Sequence, residues 1–207
     1  LLSCLGPFAI DMYLPAMPLI GDNLGVSPMG MQSTITAYFA AFGIAQMFYG
    51  PWADQAGRKL PLYAGIAMFV LGTILCMTAT SGTGLIAGRF VQGLGGAALG
   101  VVPRAIVRDM MTGAEATRMM AKIMLTFSVS PMLAPLVGSA LLVITGWRGI
   151  FAGLAGFSVL VSAWIFFAVP EKPLAGANER WDEQWSKICA IFATPAFWRI
   201  GAPLILI

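Results

Sequence analysis

Long apolar runs separated by short polar ones dominate this chain. The runs extend from the start to about Ile20, and then over about Gln32–Trp52, Leu60–Ala79, Leu85–Val107, Met119–Ile144 and Ile150–Val169; a seventh begins at about Ile200 and stops at Ile207. Each complete run is close to the roughly 20 residues that a helix needs to cross a bilayer. None shows the ten-residue alternation of a membrane barrel, so in lipid these runs must be helices. Between about Glu171 and Phe197, Trp181, Trp185, Ile188 and Phe192 recur at helical spacing, with Glu179, Asp182, Glu183 and Lys187 on the other face. That pattern predicts a short amphipathic helix on the membrane surface. The first residues lack a basic region and a small-residue cleavage site, so they read as a helix already under way rather than a signal peptide.

Composition agrees with this picture. Of 207 residues, 58% are hydrophobic and 10% are charged, against about 25% charged in an ordinary soluble domain. The mean hydropathy is +0.83. A soluble enzyme, a disordered tail and a nucleic-acid module are excluded. Orientation follows from the positive-inside rule. Arg58, Lys59, Arg104, Arg108, Arg118, Lys122, Lys172, Arg180, Lys187 and Arg199 all fall at alternate loops, against Arg148 alone on the other side. The start of the chain is therefore expected in the cytoplasm. No His is present, which removes His catalysis, His relays and His metal sites. Cys4, Cys76 and Cys189 lie far apart and read as small packing residues.

Charge within the spans is more informative. Asp11 is the one acidic residue inside a predicted span and Arg89 the clear basic one, with Arg104 nearer a helix end. A charge at the bilayer centre costs about 2.5–3.5 kcal/mol on the mildest scales, so such residues face a bundle interior or water. Counting along oppositely running spans places the two within about a turn or two of each other in depth. They read either as a proton or substrate path or as a packing lock. Pro7, Pro15 and Pro18 flank Asp11 and bend the helix, which suits a cavity lining. Without His, a carboxylate is the evident intramembrane proton carrier.

Three further segments stand out. GPWADQAGRK, Gly50 to Lys59, joins the second and third spans; Gly50 and Gly57 permit a tight turn, while Asp54, Arg58 and Lys59 can pair with a neighbouring helix end and latch one conformation. LIAGRFVQGLGGAALG contains a G-x-G-x-x-A match from Gly93 to Ala98, but no strand precedes it, so it is not a dinucleotide site. Gly96 and Gly100 instead allow close helix approach. SPMLAPLVGS, with Pro131, Pro135 and Gly138, predicts a bent helix whose small residues permit sliding contact.

In order and spacing, these motifs resemble the N-terminal half of a major facilitator superfamily transporter. GPWADQAGRK is similar to the superfamily's loop between helices two and three, and LIAGRFVQGLGGAA to its helix-four motif. SPMLAPLVGS is similar to the helix-five antiporter motif, with Ala134 and Ser139 in place of two glycines. DMYLPAMP (Asp11–Pro18), RAIVRD (Arg104–Asp109) and GWRGIF (Gly146–Phe151) are similar to the Bcr/CflA drug-resistance group. The resemblance implies an all-α integral membrane fold of twelve helices, with this chain supplying the N-terminal six-helix bundle built of two inverted three-helix repeats. Residues 1–169 then form the transmembrane half, 170–198 a cytoplasmic linker with its amphipathic helix, and 199–207 the start of helix seven. A missing C-terminal six-helix half is implied, and with it the latch partners of Asp54. This chain alone is not expected to transport.

The implied activity is proton-coupled efflux of small amphipathic drugs across a bacterial inner membrane by alternating access. Asp11 and Arg89 carry proton and substrate coupling; Tyr13, Tyr38 and Gln92 are substrate-cavity candidates that equally fit packing. The proton gradient is the energy source and no cofactor is expected. The expected partners are drug-like molecules, protons and the lipid bilayer, with no nucleic acid. A proton symporter or facilitator for a small nutrient shares the fold and remains the alternative, because direction is not written in the motifs. A membrane protease is disfavoured by the missing His and G-x-S-x-G, and a channel by the lack of a charged ring.

Overall fold

The computed structural model describes residues 2–168, which lie within one compact unit, Leu1–Lys172. The expected linker at 170–198 and the start of helix seven at 199–207 lie outside the described residues. Among the described residues the chain is helical apart from short turns and has no strand. A 3-10 turn at Leu2–Cys4 leads into α1 (Leu5–Asp11). A second 3-10 turn at Leu14–Ala16 separates α1 from α2 (Met17–Leu24). There follow α3 (Pro28–Gln55), α4 (Lys59–Met77), α5 (Gly82–Met110) and the long run α6 (Gly113–Ala168).

Local chemistry sets the boundaries. Gly25 closes α2 with a left-handed φ of 63°, and the Ser27 hydroxyl accepts from the Gly30 N–H at 3.2 Å to start α3. Ser81 caps α5 in the same way through Gly84 N–H at 3.2 Å. Gly57, with φ 85°, makes the turn between α3 and α4. Within α6 the helical run continues past Pro131 and Pro135, and non-helical backbone occurs at Gly146 (φ 70°, ψ −178°). The break is a physical necessity. A straight helix of 56 residues would be about 84 Å long, roughly twice a bilayer with its headgroups. Gly146 divides α6 into a first arm, 113–145, and a second arm, 147–168, matching the two spans expected there.

Among the described residues four helical runs are long and apolar enough to cross a membrane: Leu2–Leu24, Lys59–Met77, Gly82–Met110 and Gly113–Ile165. The last of these is the double span broken at Gly146. α3, at 28 residues, has the length but is more polar, with Gln32, Ser33, Thr34, Thr36 and Gln46 along it.

α5 is the central element and packs along both α3 and α4. Its glycines are where neighbouring backbones pass. A side chain at Gly93 would strike the Tyr38 carbonyl, and one at Gly95 the backbone of Phe69 and Gly65. Gly72 on α4 receives the Gln92 backbone in return. The core filled around this contact includes Tyr13, Tyr38, Leu62, Phe69, Leu85, Leu99 and Phe151, each less than 2% exposed.

Candidate functional site

The first span is broken beside Asp11; its other acidic residue, Asp22, is exposed near the end of the span. Pro15 has no N–H to offer the Asp11 carbonyl four residues earlier, so α-helix cannot continue regularly there. The Met12 N–H still bonds the Phe8 carbonyl (3.1 Å), but the Tyr13 N–H turns back three residues to Ile10 (3.1 Å). The Ala9 carbonyl thereby loses the Tyr13 N–H, its regular i+4 donor. Arg89 takes that place, its Nη1 donating to the Ala9 oxygen at 2.9 Å.

Arg89 is fully buried and belongs to a polar network threaded through four elements. Nη1 also donates to Gln92 Oε1 at 2.6 Å, and Gln92 Nε2 donates to Thr73 Oγ1 at 2.8 Å. Thr73 passes its own proton to the Phe69 carbonyl at 2.7 Å. The guanidinium carbon lies 4.4 Å from the Tyr13 ring centroid and 4.8 Å from that of Tyr38, two cation–π contacts in a desolvated setting. The Tyr13 hydroxyl meets Thr34 Oγ1 at 2.7 Å. Because Thr34 gives its proton to the Met31 carbonyl (2.6 Å), Tyr13 is the donor in that bond. Arg89 Nε, Arg89 Nη2 and the Tyr38 hydroxyl are buried without a hydrogen-bond partner.

The structure thus brings Arg89 to the first span at Ala9, two residues from Asp11 in sequence, as the depth count anticipated. It does not join them as an ion pair. Asp11 is half-buried and makes no hydrogen bond or salt bridge among the described residues. The reason is geometric: the broken ladder offers Arg89 a backbone oxygen first, and two aromatic rings hold the guanidinium where it is. Tyr13, Tyr38 and Gln92, expected as candidates for a substrate cavity, sit wholly inside the bundle around Arg89. Thr34 and Thr73 complete the network. Each is a single hydroxyl in an apolar run, a weak signal in one dimension.

A second cluster occupies the end of the bundle where the second–third and fourth–fifth spans join. Arg58 Nη1 lies 2.7 Å from Asp54, and Arg58 Nε donates to Asp109 Oδ2 at 2.7 Å. Arg108 stands 3.9 Å from Asp54 and 3.8 Å from Asp109. The partners of Asp54, expected in a missing half, include Arg58 and Arg108 within this chain. Lys59 opens α4, Gly50 lies inside α3, and Gly57 makes the turn. Asp109 was not singled out from the sequence as a latch residue, although its place in RAIVRD at the end of α5 puts it at the basic end of the bundle.

Pro131, Pro135 and Gly138 lie on the first arm of α6. Gly138 is buried against the first span: a Cβ there would stand 2.5 Å from the Met12 carbonyl oxygen and 2.8 Å from its Cα. At the opposite end of the bundle from the ion pairs, Arg148 Nε and Nη2 donate to the carbonyls of Met77 (3.1 Å) and Ala79 (3.2 Å), closing the end of α4. Its guanidinium carbon is 4.1 Å from the Trp147 ring centroid.

The described residues thus form a multi-pass helical bundle with buried polar and charged groups at its centre and an ion-paired loop at one end. The chain belongs to the Major Facilitator Superfamily, which it matches over residues 1–207. It is 34% identical over 171 residues to a bicyclomycin resistance protein homolog of Haemophilus influenzae, covering 83% of this chain and 43% of that one. It is 32% identical over 169 residues to multidrug resistance protein D of Escherichia coli, covering 80% and 43%. An uncharacterized transporter of Bacillus subtilis, YdgK, is 39% identical over 153 residues, covering 73% and 38%. The chain therefore spans about two fifths of the length of these relatives.

Proposed function

We propose that this chain is part of a proton-coupled exporter of small amphipathic compounds, working by alternating access in a bacterial inner membrane with the start of the chain on the cytoplasmic side. The observation that carries the reading is Asp11. It is half-buried at the break in the first span, without a charge partner among the described residues. A carboxylate in that setting is free to exchange a proton as its surroundings change, which a carboxylate locked to Arg89 would not be. Names such as bicyclomycin resistance and multidrug resistance among the relatives support export of drugs as the direction and substrate class.

In this reading protonation of Asp11 favours one orientation of the transporter and bound substrate favours its loss. Arg89 maintains positive potential near the break while its fixed contacts keep it from neutralising Asp11 directly. The Asp54–Arg58–Asp109 cluster fastens the cytoplasmic end in one orientation and loosens in the other. Residues 1–169 move as one half against a second, joined through the linker at 170–198, with no cofactor beyond the proton gradient.

The test is ethidium transport by the full-length gene product in proteoliposomes with an imposed pH gradient. Wild-type protein is expected to move ethidium against the proton flux, and Asp11→Asn to lose gradient-driven movement while reaching the membrane in normal amount. Gradient-driven transport retained by Asp11→Asn removes Asp11 from the mechanism. Movement of ethidium in the same direction as protons replaces export by symport.

A further inference from the structure

In the proposed reading Asp11 carries the proton; among the described residues nothing binds its carboxylate, so its position rests on the backbone that carries it. Just after Asp11 that backbone departs from α-helix over Met12–Ala16, and the segment is held from three sides. α5 holds the Ala9 carbonyl through Arg89, and α3 holds Tyr13 through Thr34. The third side is the first arm of α6. Between 121 and 140 this arm buries only Ser130, Ala134 and Gly138, at helical i, i+4, i+8 spacing, and its large side chains such as Met132 and Leu136 point outward. The arm therefore meets the bundle through small residues. At Gly138 the space a side chain would fill is taken by the Met12 backbone: its carbonyl oxygen at 2.5 Å, its Cα at 2.8 Å and its carbonyl carbon at 3.0 Å from the Cβ position. Met12 immediately follows Asp11. No flexible side chain end is available there to yield, so an added carbon must shift the break against the α6 arm, changing where the two backbones meet.

We infer that Gly138 is a positioning residue for Asp11, setting through backbone contact where the carboxylate stands and so the pH at which substrate and proton exchange. This inference rests on the proposed role of Asp11. The titratable and charged groups around the break are Arg89 on α5, Tyr38 on α3, Cys76 on α4 and Tyr13 on the break itself. The α6 arm contributes Gly138 at this point, so a substitution there moves the carboxylate relative to the other groups without adding or removing a charge.

The experiment is the pH dependence of ethidium binding to the purified full-length gene product between about pH 5.5 and 8.5, with proton release on binding followed by an indicator dye. Gly138→Ala is expected to displace the midpoint by about half a pH unit or more, roughly a threefold change in apparent proton affinity. Gly156→Ala, with open space at its Cβ position, is expected to keep the wild-type midpoint. Asp11→Asn is expected to abolish both the pH dependence and the proton release. If Asp11→Asn abolishes them and Gly138→Ala keeps the wild-type midpoint, the positioning role is wrong and the reading of Asp11 stands. If Asp11→Asn retains them, that reading fails and this inference with it. Should Gly138→Ala not accumulate in membranes, Ala134→Gly loosens the same seat by deletion; a displaced midpoint there supports the inference and an unchanged one overturns it.

Discussion

At the scale of residues, Arg89 poses the sharpest energetic question. A fully buried guanidinium without a carboxylate carries a desolvation cost of several kcal/mol. Here the offset comes from one nitrogen with two acceptors and from two tyrosine rings, each contact worth about 2 kcal/mol when desolvated. Gln92 is the hinge of that arrangement, accepting from Arg89 and donating to Thr73. Gln92→Leu removes both bonds at nearly constant bulk and is expected to lower stability by about 1–3 kcal/mol, read as an earlier melting transition of the purified protein in detergent. Arg89→Lys keeps the charge but cannot reproduce a planar group over two rings. We expect at least a tenfold loss of ethidium transport with membrane abundance preserved, measured in the proteoliposome assay. That Arg89 faces the bundle interior was legible from its depth alone. Its partner was not, because the acceptor is a backbone oxygen released by a broken ladder, and every residue has such an oxygen.

At the scale of elements, packing is governed by where α5 has no side chains. Gly93→Val would drive a branched side chain into the Tyr38 carbonyl. Overpacking of this kind costs about 1–3 kcal/mol and more when backbone must move. Gly156→Val, in open space, is the matched comparison. The expected result is poor membrane accumulation and a lowered melting temperature for the first alone. Equal behaviour of the two would refute the packing account. Element positions were largely readable from the sequence, since hydropathy over 20 residues averages out local detail. The second run was read as Gln32–Trp52 and forms α3, Pro28–Gln55, extended by the Ser27 cap and by an interior Pro51 that the helix accommodates. The bend expected near Pro131 and Pro135 is not where helical backbone is lost; Gly146 is. Gly146 is the position where a left-handed φ, permissive for glycine, meets the requirement to fold two spans side by side.

At the scale of the whole molecule, the ion pairs among the described residues gather at one end of the bundle. The basic loops predicted to share one side meet in the Arg58–Asp109 pair, which ties the α3–α4 turn to the end of α5. With side chains 12% and 28% exposed, this pair is better shielded than a surface bridge, and a coupling of about 1 kcal/mol is expected. A double-mutant cycle of Arg58→Gln and Asp109→Asn, read by thermal unfolding, measures it; strictly additive effects would show that the two are not coupled. The loop's charges were legible as ion-pairing groups and Gly57 as its turn, whereas Gly50, also expected in the turn, lies inside α3; the partners depended on which helix ends the bundle brings together, and that is a three-dimensional fact.

The long reach of the Arg89 contact has a consequence for how the protein is made. The Ala9 carbonyl waits for a donor 80 residues later in the chain, and the end of α4 waits for Arg148, 71 residues beyond Met77. At roughly 5–20 residues per second of synthesis, the first span spends seconds in the bilayer with a backbone acceptor unsatisfied and its break untethered. Its final shape is therefore acquired after its insertion, when α5 and then the first arm of α6 arrive. A ribosome-bound chain halted just after α4 is expected to leave Asp11 open to cytoplasmic reagents to a degree the completed half-bundle does not allow.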